Sequence, residues 1–173
     1  RSARAARAAA ARSILDGATF VADVDIRDCF DTVPRARLLD HLADLGVADP
    51  ALRRLIQRAT GGWMGPAWGL HQGSPLSPVL CNAWLHRIDV RLAGRPGYLR
   101  YADDIICLER KAGEATAAYE TITAAVTEGG QRVHSMKSGT SSVTSWSWLG
   151  ARWTGERWEQ RPSSPRRPWQ RRR

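Results

Sequence analysis

The sequence contains few cysteines and lacks any long apolar run. Its three cysteines, Cys29, Cys81 and Cys107, are far apart and lie in apolar surroundings, which favours buried free thiols in a reducing compartment over a disulfide framework or a zinc site. No run approaches the roughly 20 apolar residues of a membrane-spanning helix, and the Arg- and Ala-rich start is unlike a secretory signal. We therefore expect a cytoplasmic protein that does not contact a membrane.

Acidic residues are in the minority. Asp and Glu number 17 against 26 Lys and Arg, which gives a net charge of +9 and a pI of about 10.6. This excess predicts a polyanionic partner, nucleic acid before an anionic membrane surface. The two ends of the chain are rich in arginine, whereas the middle carries the acids. With 173 residues, of which 43% are hydrophobic and 25% charged, the chain is long enough for one globular domain with a core.

Two stretches of the middle region place carboxylates inside apolar strands. Residues 98–108 predict two apolar arms around a turn at Ala102-Asp103-Asp104, and residues 20–26 predict a buried strand that contains further acids. An ordinary Asp-rich turn explains the first stretch equally well when it is taken alone. A carboxylate within an apolar strand, however, is costly unless it is paired or binds a metal. Two such strands side by side would gather three or four carboxylates, which is a site for hard divalent cations.

The remaining pattern predicts an α+β fold with a mainly antiparallel sheet. The helices would pack on one face of this sheet, and the acids would lie on the other, open face. The third helix is expected to turn Leu52, Leu55 and Ile56 inward. Helices are predicted over residues 1–15, 34–46, from 49 onwards, from 77 onwards and over 112–128, with a glycine-rich loop or hairpin at 61–66 and an aromatic strand region at 143–153 that bends at Leu149-Gly150.

Two further stretches have both a structural and a functional interpretation. Residues 69–78 form a glycine-rich loop that ends in two Ser-Pro pairs, which are typical of a helix start. Such a loop is either an ordinary helix entry or a place where backbone N–H groups approach an anionic substrate. Arg1, Arg4 and Arg7 share one face of the first predicted helix, and this face is either solvated or in contact with backbone phosphates.

Together these stretches resemble the palm of a reverse transcriptase, an RNA-directed DNA polymerase, and most of all the group II intron and bacterial retroelement type. The resemblance covers residues 20–153 and rests on five motifs that follow the family's order and spacing. The motifs are residues 25–33 (first palm motif), 72–78 with Asn82 (second), 101–104 (third), Lys137 after a glycine pair (fourth) and 148–150 (the primer-grip strand).

The resemblance implies two-metal nucleotidyl transfer. Asp25 and Asp103 would bind two Mg²⁺ ions, for which Mn²⁺ could substitute. Asp104 would lie beside them, and the backbone carbonyl of Ile26 would be an extra ligand. Lys137 matches the lysine that would protonate the leaving pyrophosphate.

The resemblance also implies how nucleotides and nucleic acid would bind. Phe30 matches the bulky side chain that blocks a ribose 2′-OH and so selects deoxynucleotides (dNTPs). Gln72 and Gly73 would lie along the template and the incoming nucleotide. The further positions that would contact the RNA template or the DNA or RNA primer are Ser74, Pro75, Tyr101, Leu149 and Gly150.

Three residues depart from the family's pattern. Asp23 and Asp28 do not match its metal-binding position, so we interpret them as polar neighbours of the site. His71 replaces the proline that usually precedes the Gln-Gly pair, and this substitution concerns the shape of that loop.

The resemblance divides the chain into a fingers remnant (residues 1–15, a basic helix), a palm (16–155) and a basic tail that we expect to be disordered (156–173). Because the rest of the fingers and the thumb would be missing, we expect a fragment that polymerises poorly or not at all alone, or one complemented by a partner chain that supplies those parts. Two alternatives stay open. One is a palm polymerase that makes RNA or works without a template. The other is a catalytically inactive RNA-binding remnant of a retroelement maturase.

Overall fold

The computed structural model of the protein describes residues 2–60 and 68–160. The elements in chain order are α1 (Ala3–Leu15), β1 (Phe20–Asp25), α2 (Arg35–Asp44), α3 (Pro50–Thr60), α4 (Ser77–Leu92), β2 (Tyr98–Tyr101), β3 (Asp104–Glu109), α5 (Ala112–Glu128), β4 (Gly139–Ser142), a 3₁₀ turn (Val143–Ser145), β5 (Ser147–Trp148), β6 (Ala151–Trp153) and β7 (Trp158–Gln160). These residues form a main sheet in the order β2-β3-β1-β4 and a small sheet in the order β5-β6-β7. Every pairing in both sheets is antiparallel, which confirms the α+β prediction.

The central strand β1 separates the two faces of the main sheet. Its alternate residues Ala22 and Val24, continued by Ile26, lie in the larger apolar core together with buried residues of α2, α4 and α5. This is the helix-covered face that the sequence predicted. Val21 points the other way, into a second core. Because successive side chains of a strand alternate between faces, Asp23 and Asp25 share the face of Val21.

The second face is less open than the sequence predicted. The helix α1 packs on it through Ala10. Trp146, just before the small sheet, and Trp148 of β5 also cover it, and they are 5% and 3% exposed. The physical reason is the aromatic content of residues 143–158, because large indole rings stabilise the fold only when they are buried. The acids therefore lie at the end of a partly covered face.

Two local expectations differ from the structure. Leu52 and Leu55 of α3 are 44% and 63% exposed instead of buried, and Ile56 is the predicted inward residue that packs against the core. Since α3 turns only a narrow stripe of side chains, including Ile56, towards the core, Leu52 and Leu55 remain exposed. The strand β7 lies inside the segment predicted as a disordered tail, and it pairs with β6 through Trp153 and Trp158.

Some expectations cannot be compared with the structure. The glycine-rich loop predicted at 61–66 and the tail from residue 161 lie outside the described residues. Within residues 2–60 and 68–160, no helix is both long and apolar enough to cross a bilayer.

Candidate active site

The acids meet where the two central strands of the main sheet end. Asp25 is the last residue of β1 and Asp104 the first of β3, and the antiparallel register makes them direct cross-strand partners. Directly opposed residues project from the same face of a sheet, so both carboxylates lie on the face opposite the main helices. Asp103 precedes Asp104 in the turn from β2. The structure thus brings together the three acids that the sequence singled out.

The turn that carries Asp103 is tighter than predicted. It contains only two residues, Ala102 and Asp103, because Asp104 already pairs with Tyr101. Ala102 has φ +55, a left-handed conformation that costs a non-glycine residue about 1–2 kcal/mol. Such a conformation is characteristic of two-residue hairpin loops, whose twist matches that of the strands. It persists only where the surroundings fix it.

Negative charge accumulates on this face. Burial raises the pKa of Asp104 to about 6, and repulsion from Asp103, Asp23 and Asp25 adds to the effect. Burial also raises the pKa of Asp23 to about 6, although the Trp146 indole N–H donates a 2.9 Å hydrogen bond to its Oδ2. Carboxylates that repel one another in this way fit a bound cation, which would offset the repulsion.

The donor chemistry fits Mg²⁺ without a preformed cage. Among the described residues, no group of three or more His, Cys, Asp or Glu side chains is arranged to hold a metal ion by itself. Mg²⁺ is nevertheless bound in many phosphoryl-transfer sites by one or two carboxylates, by waters and by substrate phosphates. Asp25 and Asp103 are the residues that would hold such an ion, together with the backbone carbonyl of Ile26, which follows directly in the chain.

The segment before β4 wraps around Asp25. The Nζ atom of Lys137 lies 3.4 Å from Asp25 Oδ2, although 60% of the lysine side chain is exposed. The backbone N–H of Asp25 donates to Ser138 Oγ at 2.9 Å, and the backbone N–H of His134 donates to the Asp25 carbonyl at 2.9 Å. The predicted lysine therefore lies at the acids, 112 residues along the chain from its partner.

The glycine-rich loop is tied to the segment that follows β1. The backbone N–H of Leu70 donates to the Phe30 carbonyl at 2.8 Å, and Gln72 Nε2 lies 3.3 Å from both carboxylate oxygens of Asp31. Gly73 is left-handed with φ +92, a conformation that glycine adopts without cost. These contacts bring Phe30, Gln72 and Gly73 into one region.

Neither of the two Ser-Pro pairs provides the N-cap of α4, which differs from the prediction. Leu76 occupies the N-cap position of α4, while Ser77 is the first helical residue and is 3% exposed. The Ser77 hydroxyl donates a 2.6 Å hydrogen bond back to the His71 carbonyl. Ser74 Oγ accepts from the Leu76 N–H at 3.3 Å, and Pro75 between them is exposed. The second Ser-Pro pair therefore closes the loop.

The predicted primer-grip residues form the turn between β5 and β6. Leu149 and Gly150 are both left-handed, with φ +48 and +76, which confirms the predicted bend. Arg7 Nη1 of α1 donates to the Leu149 carbonyl at 2.6 Å. Tyr101 and Leu149 both pack against the second core, so they lie on the same side of the main sheet as the acids.

Several residues that hold the site were missed by sequence reasoning. Gln131 is 2% exposed; it accepts from Trp84 Nε1 at 2.9 Å and donates to the Cys29 carbonyl at 3.1 Å. Nothing local distinguishes this glutamine in the sequence. Arg100 donates to both carboxylate oxygens of Asp89. The sequence could have indicated this pair, because a charged residue in an apolar strand requires a partner.

Comparisons with known proteins identify the family to which this fold belongs. The family model described as reverse transcriptase (RNA-dependent DNA polymerase) matches residues 2–153. Three curated relatives are similar: a Pol polyprotein of the R2 retrotransposable element of Nasonia vitripennis, 28% identical over 64% of this chain and 13% of its own length; the retron Mx65 reverse transcriptase of Myxococcus xanthus, 37% identical over 51% and 25%; and a putative COX1/OXI3 intron 1 protein of Saccharomyces cerevisiae, 32% identical over 45% and 10%. The matched region thus spans 10–25% of these relatives' lengths.

A solved structure shows the same fold. Telomerase from Candida albicans, in complex with a fragment of telomeric RNA, superposes with a TM-score of 0.70 at 14% identity, over 95% of this chain and 34% of that chain. At this identity the likeness concerns the fold alone, and it confirms the predicted polymerase palm. The retron and intron relatives are consistent with the predicted retroelement type. The chain therefore belongs to the reverse transcriptase family.

Proposed function

We propose that this chain is the palm of an RNA-directed DNA polymerase, which adds dNTPs to a primer on an RNA template. The observation that carries the proposal is the cross-strand pair of Asp25 and Asp104 beside Asp103, with Lys137 Nζ 3.4 Å from Asp25. Acids that repel one another at the end of a buried strand, next to a lysine, form an arrangement suited to phosphoryl transfer.

Asp25 and Asp103 would hold two divalent cations, Mg²⁺ or in its place Mn²⁺, with Asp104 and the Ile26 carbonyl as further oxygen donors. When bound, the cations would stabilise the attacking and leaving oxygens of the transferred phosphoryl group. The protein's own contribution is the fixed register of β1 and β3, which keeps Asp25 and Asp104 opposite each other at one end of the sheet, with Asp103 next to them in the turn. Their mutual repulsion, which contributes to the raised pKa of Asp104, supports cation binding.

Lys137 would donate a proton to the leaving pyrophosphate. Its ammonium group has three donors and lies at hydrogen-bonding range from the acid that would hold a cation. It is 60% exposed, so an incoming triphosphate could reach it. A positioned lysine can act as a general acid only when it is within reach of the proton acceptor, and the contact with Asp25 supports this placement.

Phe30 and the glycine-rich loop would select the nucleotide. The hydrogen bond from the Leu70 N–H to the Phe30 carbonyl places the glycine-rich loop next to Phe30, which supports their joint role. The bulk of Phe30 would exclude a ribose 2′-OH, and so favour dNTPs over ribonucleotides. The template would pass along Ser74 and Pro75, which follow in the same loop.

The primer would lie between the turn Ala102-Asp103, here called the acidic turn, and the turn between β5 and β6 of the small sheet. Tyr101, Leu149 and Gly150 are the residues on that path, and the packing of the first two on one core supports it. The net charge of +9 favours a nucleic-acid partner. Because the matched relatives are four to ten times longer than the matched region, we propose that fingers and thumb come from further polypeptide or from a partner chain.

Primer extension tests this function. The purified chain is given an RNA template, a DNA primer, Mg²⁺ or Mn²⁺, and either dNTPs or ribonucleotides. We expect slow dNTP addition that Asp103→Asn abolishes and that Asp28→Asn, an exposed acid paired with Arg27, leaves intact. Preferred ribonucleotide addition would indicate an RNA-making palm. RNA binding that is unaffected by Asp103→Asn, without extension, would indicate a non-catalytic remnant.

A further inference from the structure

The side chain of Arg100 connects the acidic turn to α4. It lies in β2, two residues before Ala102, and is only 11% exposed. Its Nε and Nη2 atoms donate to both carboxylate oxygens of Asp89, at 2.7 and 2.6 Å. Its Nη1 atom donates to Asn82 Oδ1 at 2.8 Å and to the Ala102 carbonyl at 3.0 Å. One guanidinium group thus binds two residues of α4 and one residue of the turn.

The Asp89 end of this connection is charged and held from several sides. Burial alone would raise the pKa of Asp89. The hydrogen bonds with Arg100, Tyr98 and His86, together with the positive charge of Arg100, outweigh burial and leave that pKa below its ordinary value. The Tyr98 hydroxyl donates to Asp89 Oδ1 at 2.6 Å, and His86 Nδ1 lies 3.6 Å from Oδ2. The bidentate pair of Arg100 and Asp89 is therefore a rigid, ionised anchor on α4.

The other end of the connection is the strained point of the acidic turn. Ala102 has the left-handed φ of +55, and its carbonyl, which accepts from Arg100, is part of the peptide bond to Asp103. A conformation of this kind persists only where neighbouring groups fix it. Because α4 begins at the glycine-rich loop, the same guanidinium relates the position of that loop to the position of the acid.

We propose that Arg100 is a positioning residue: its guanidinium fixes the acidic turn, and with it the Asp103 carboxylate, against α4. Three sets of partners require a planar fork with several donors, and a lysine ammonium cannot reach them together. The inference rests on the proposed function for its consequence in catalysis. The positioning itself is a property of the fold and can be measured without catalysis.

Arg95 offers a matched control on the same hairpin. It lies just before β2, and its Nη1 atom is 3.1 Å from Glu109 Oε1 at the far end of β3. Its side chain is 34% exposed. Arg95→Lys therefore changes an arginine–carboxylate pair of the same hairpin without touching the acidic turn.

Hydrogen exchange of the full chain tests the positioning role. In Arg100→Lys, we expect the amides of residues 101–104 to exchange at least about 10-fold faster, while β1 and α5 keep their rates. Asp89→Asn should give the same local pattern if Arg100→Lys fails to fold. Arg95→Lys should leave the turn unchanged. An unchanged turn, or an equal increase throughout the chain, would overturn the proposal.

Primer extension separates this inference from the proposed function. Arg100→Lys should lower kcat about 10- to 100-fold and leave KM for the primer–template unchanged, because the acid is misplaced while nucleic-acid contacts persist. An unchanged kcat in an active protein would contradict the proposal. If the wild-type chain extends no primer, polymerisation by this chain alone fails, and the exchange rates alone decide whether Arg100 positions the turn.

Discussion

The two faces of the main sheet are built from the same strands but differ in role: one forms the apolar core and the other carries the acids. Ala22 and Val24 face three helices and contribute to an apolar core, whereas Asp23 and Asp25, each one residue further along, face the partly covered side. Alternation along one strand is therefore enough to supply both stability and charge. The carboxylates of one face lower the free energy of unfolding because they are partly buried and repel one another. Apolar burial on the opposite face offsets this loss.

The largest effect is expected where a charge is placed on the helix-covered face. Val24 is fully buried, so Val24→Asp would leave a carboxylate without a partner in the apolar core. The free energy of unfolding should fall by about 3–5 kcal/mol, and urea denaturation followed by circular dichroism measures this change. A smaller loss, below about 1 kcal/mol, would mean that the two faces are not distinct in the way we describe.

The converse change, one residue along the strand, should remove activity but not stability. Asp25→Asn removes a carboxylate that the cations require, and we expect primer extension to fall at least about 100-fold. The free energy of unfolding should change by less than about 1 kcal/mol, because the pair with Lys137 is weak where the lysine is 60% exposed. Full activity in a folded variant would contradict the assignment of this face.

The acidic face should also respond to pH in the metal-free protein. The pKa values of Asp23 and Asp104 are raised from 3.8 to about 6, so the folded state holds these protons more tightly than the unfolded state. As far as these groups are concerned, stability is greatest below pH 4 and is lost as the pH rises from about 4 through about 6.

We expect the two groups together to remove roughly 2 kcal/mol, after allowance for solvent screening. Thermal unfolding in EDTA, followed from pH 4 to pH 7, measures this loss of stability. Addition of Mg²⁺ at pH 7 should reverse it. Asp23→Asn with Asp104→Asn should flatten this part of the pH profile, and a profile identical to that of the wild type would contradict the interpretation.

The smallest effect is expected at exposed apolar residues that pack on neither face of the main sheet. Leu55 of α3 is 63% exposed, so Leu55→Gln should change the free energy of unfolding by no more than about 0.5 kcal/mol. Leu85→Ala in the core of the helix-covered face is the control, and it should cost about 2–5 kcal/mol. Equal losses in the two variants would show that α3 is packed more closely than its exposure indicates.

Much of this fold follows from local patterns. The strand β1, the helix α5 and the glycine-rich entry to α4 were each predicted, because apolar runs, helical spacing and glycine-rich turns are properties of neighbouring residues. The gathering of the acids was predicted on the condition that the two apolar strands lie side by side, and the antiparallel pairing of β1 with β3 fulfils that condition. The resemblance to a known family then supplied the order in which the motifs occur.

The rest depends on contacts between distant parts of the chain. The exposure of Leu55, the pairing of β7 and the packing of α1 on the acidic side are decided by which neighbour each element meets. The bond between Trp146 and Asp23 joins residues 123 positions apart. The hydrogen bonds of Gln131 join it to Trp84 of α4 and to Cys29 after β1. They can be predicted only when the positions of all three segments are known.

Binding of Mn²⁺, followed by its electron paramagnetic resonance signal, tests the central claim most directly. In the presence of a primer–template and a dNTP, with a chain-terminated primer, we expect the wild type and Asp28→Asn to bind the cation alike. Asp25→Asn combined with Asp103→Asn should weaken binding at least about 10-fold. Equal binding by the folded double variant would show that the acidic face is not where the cations are held.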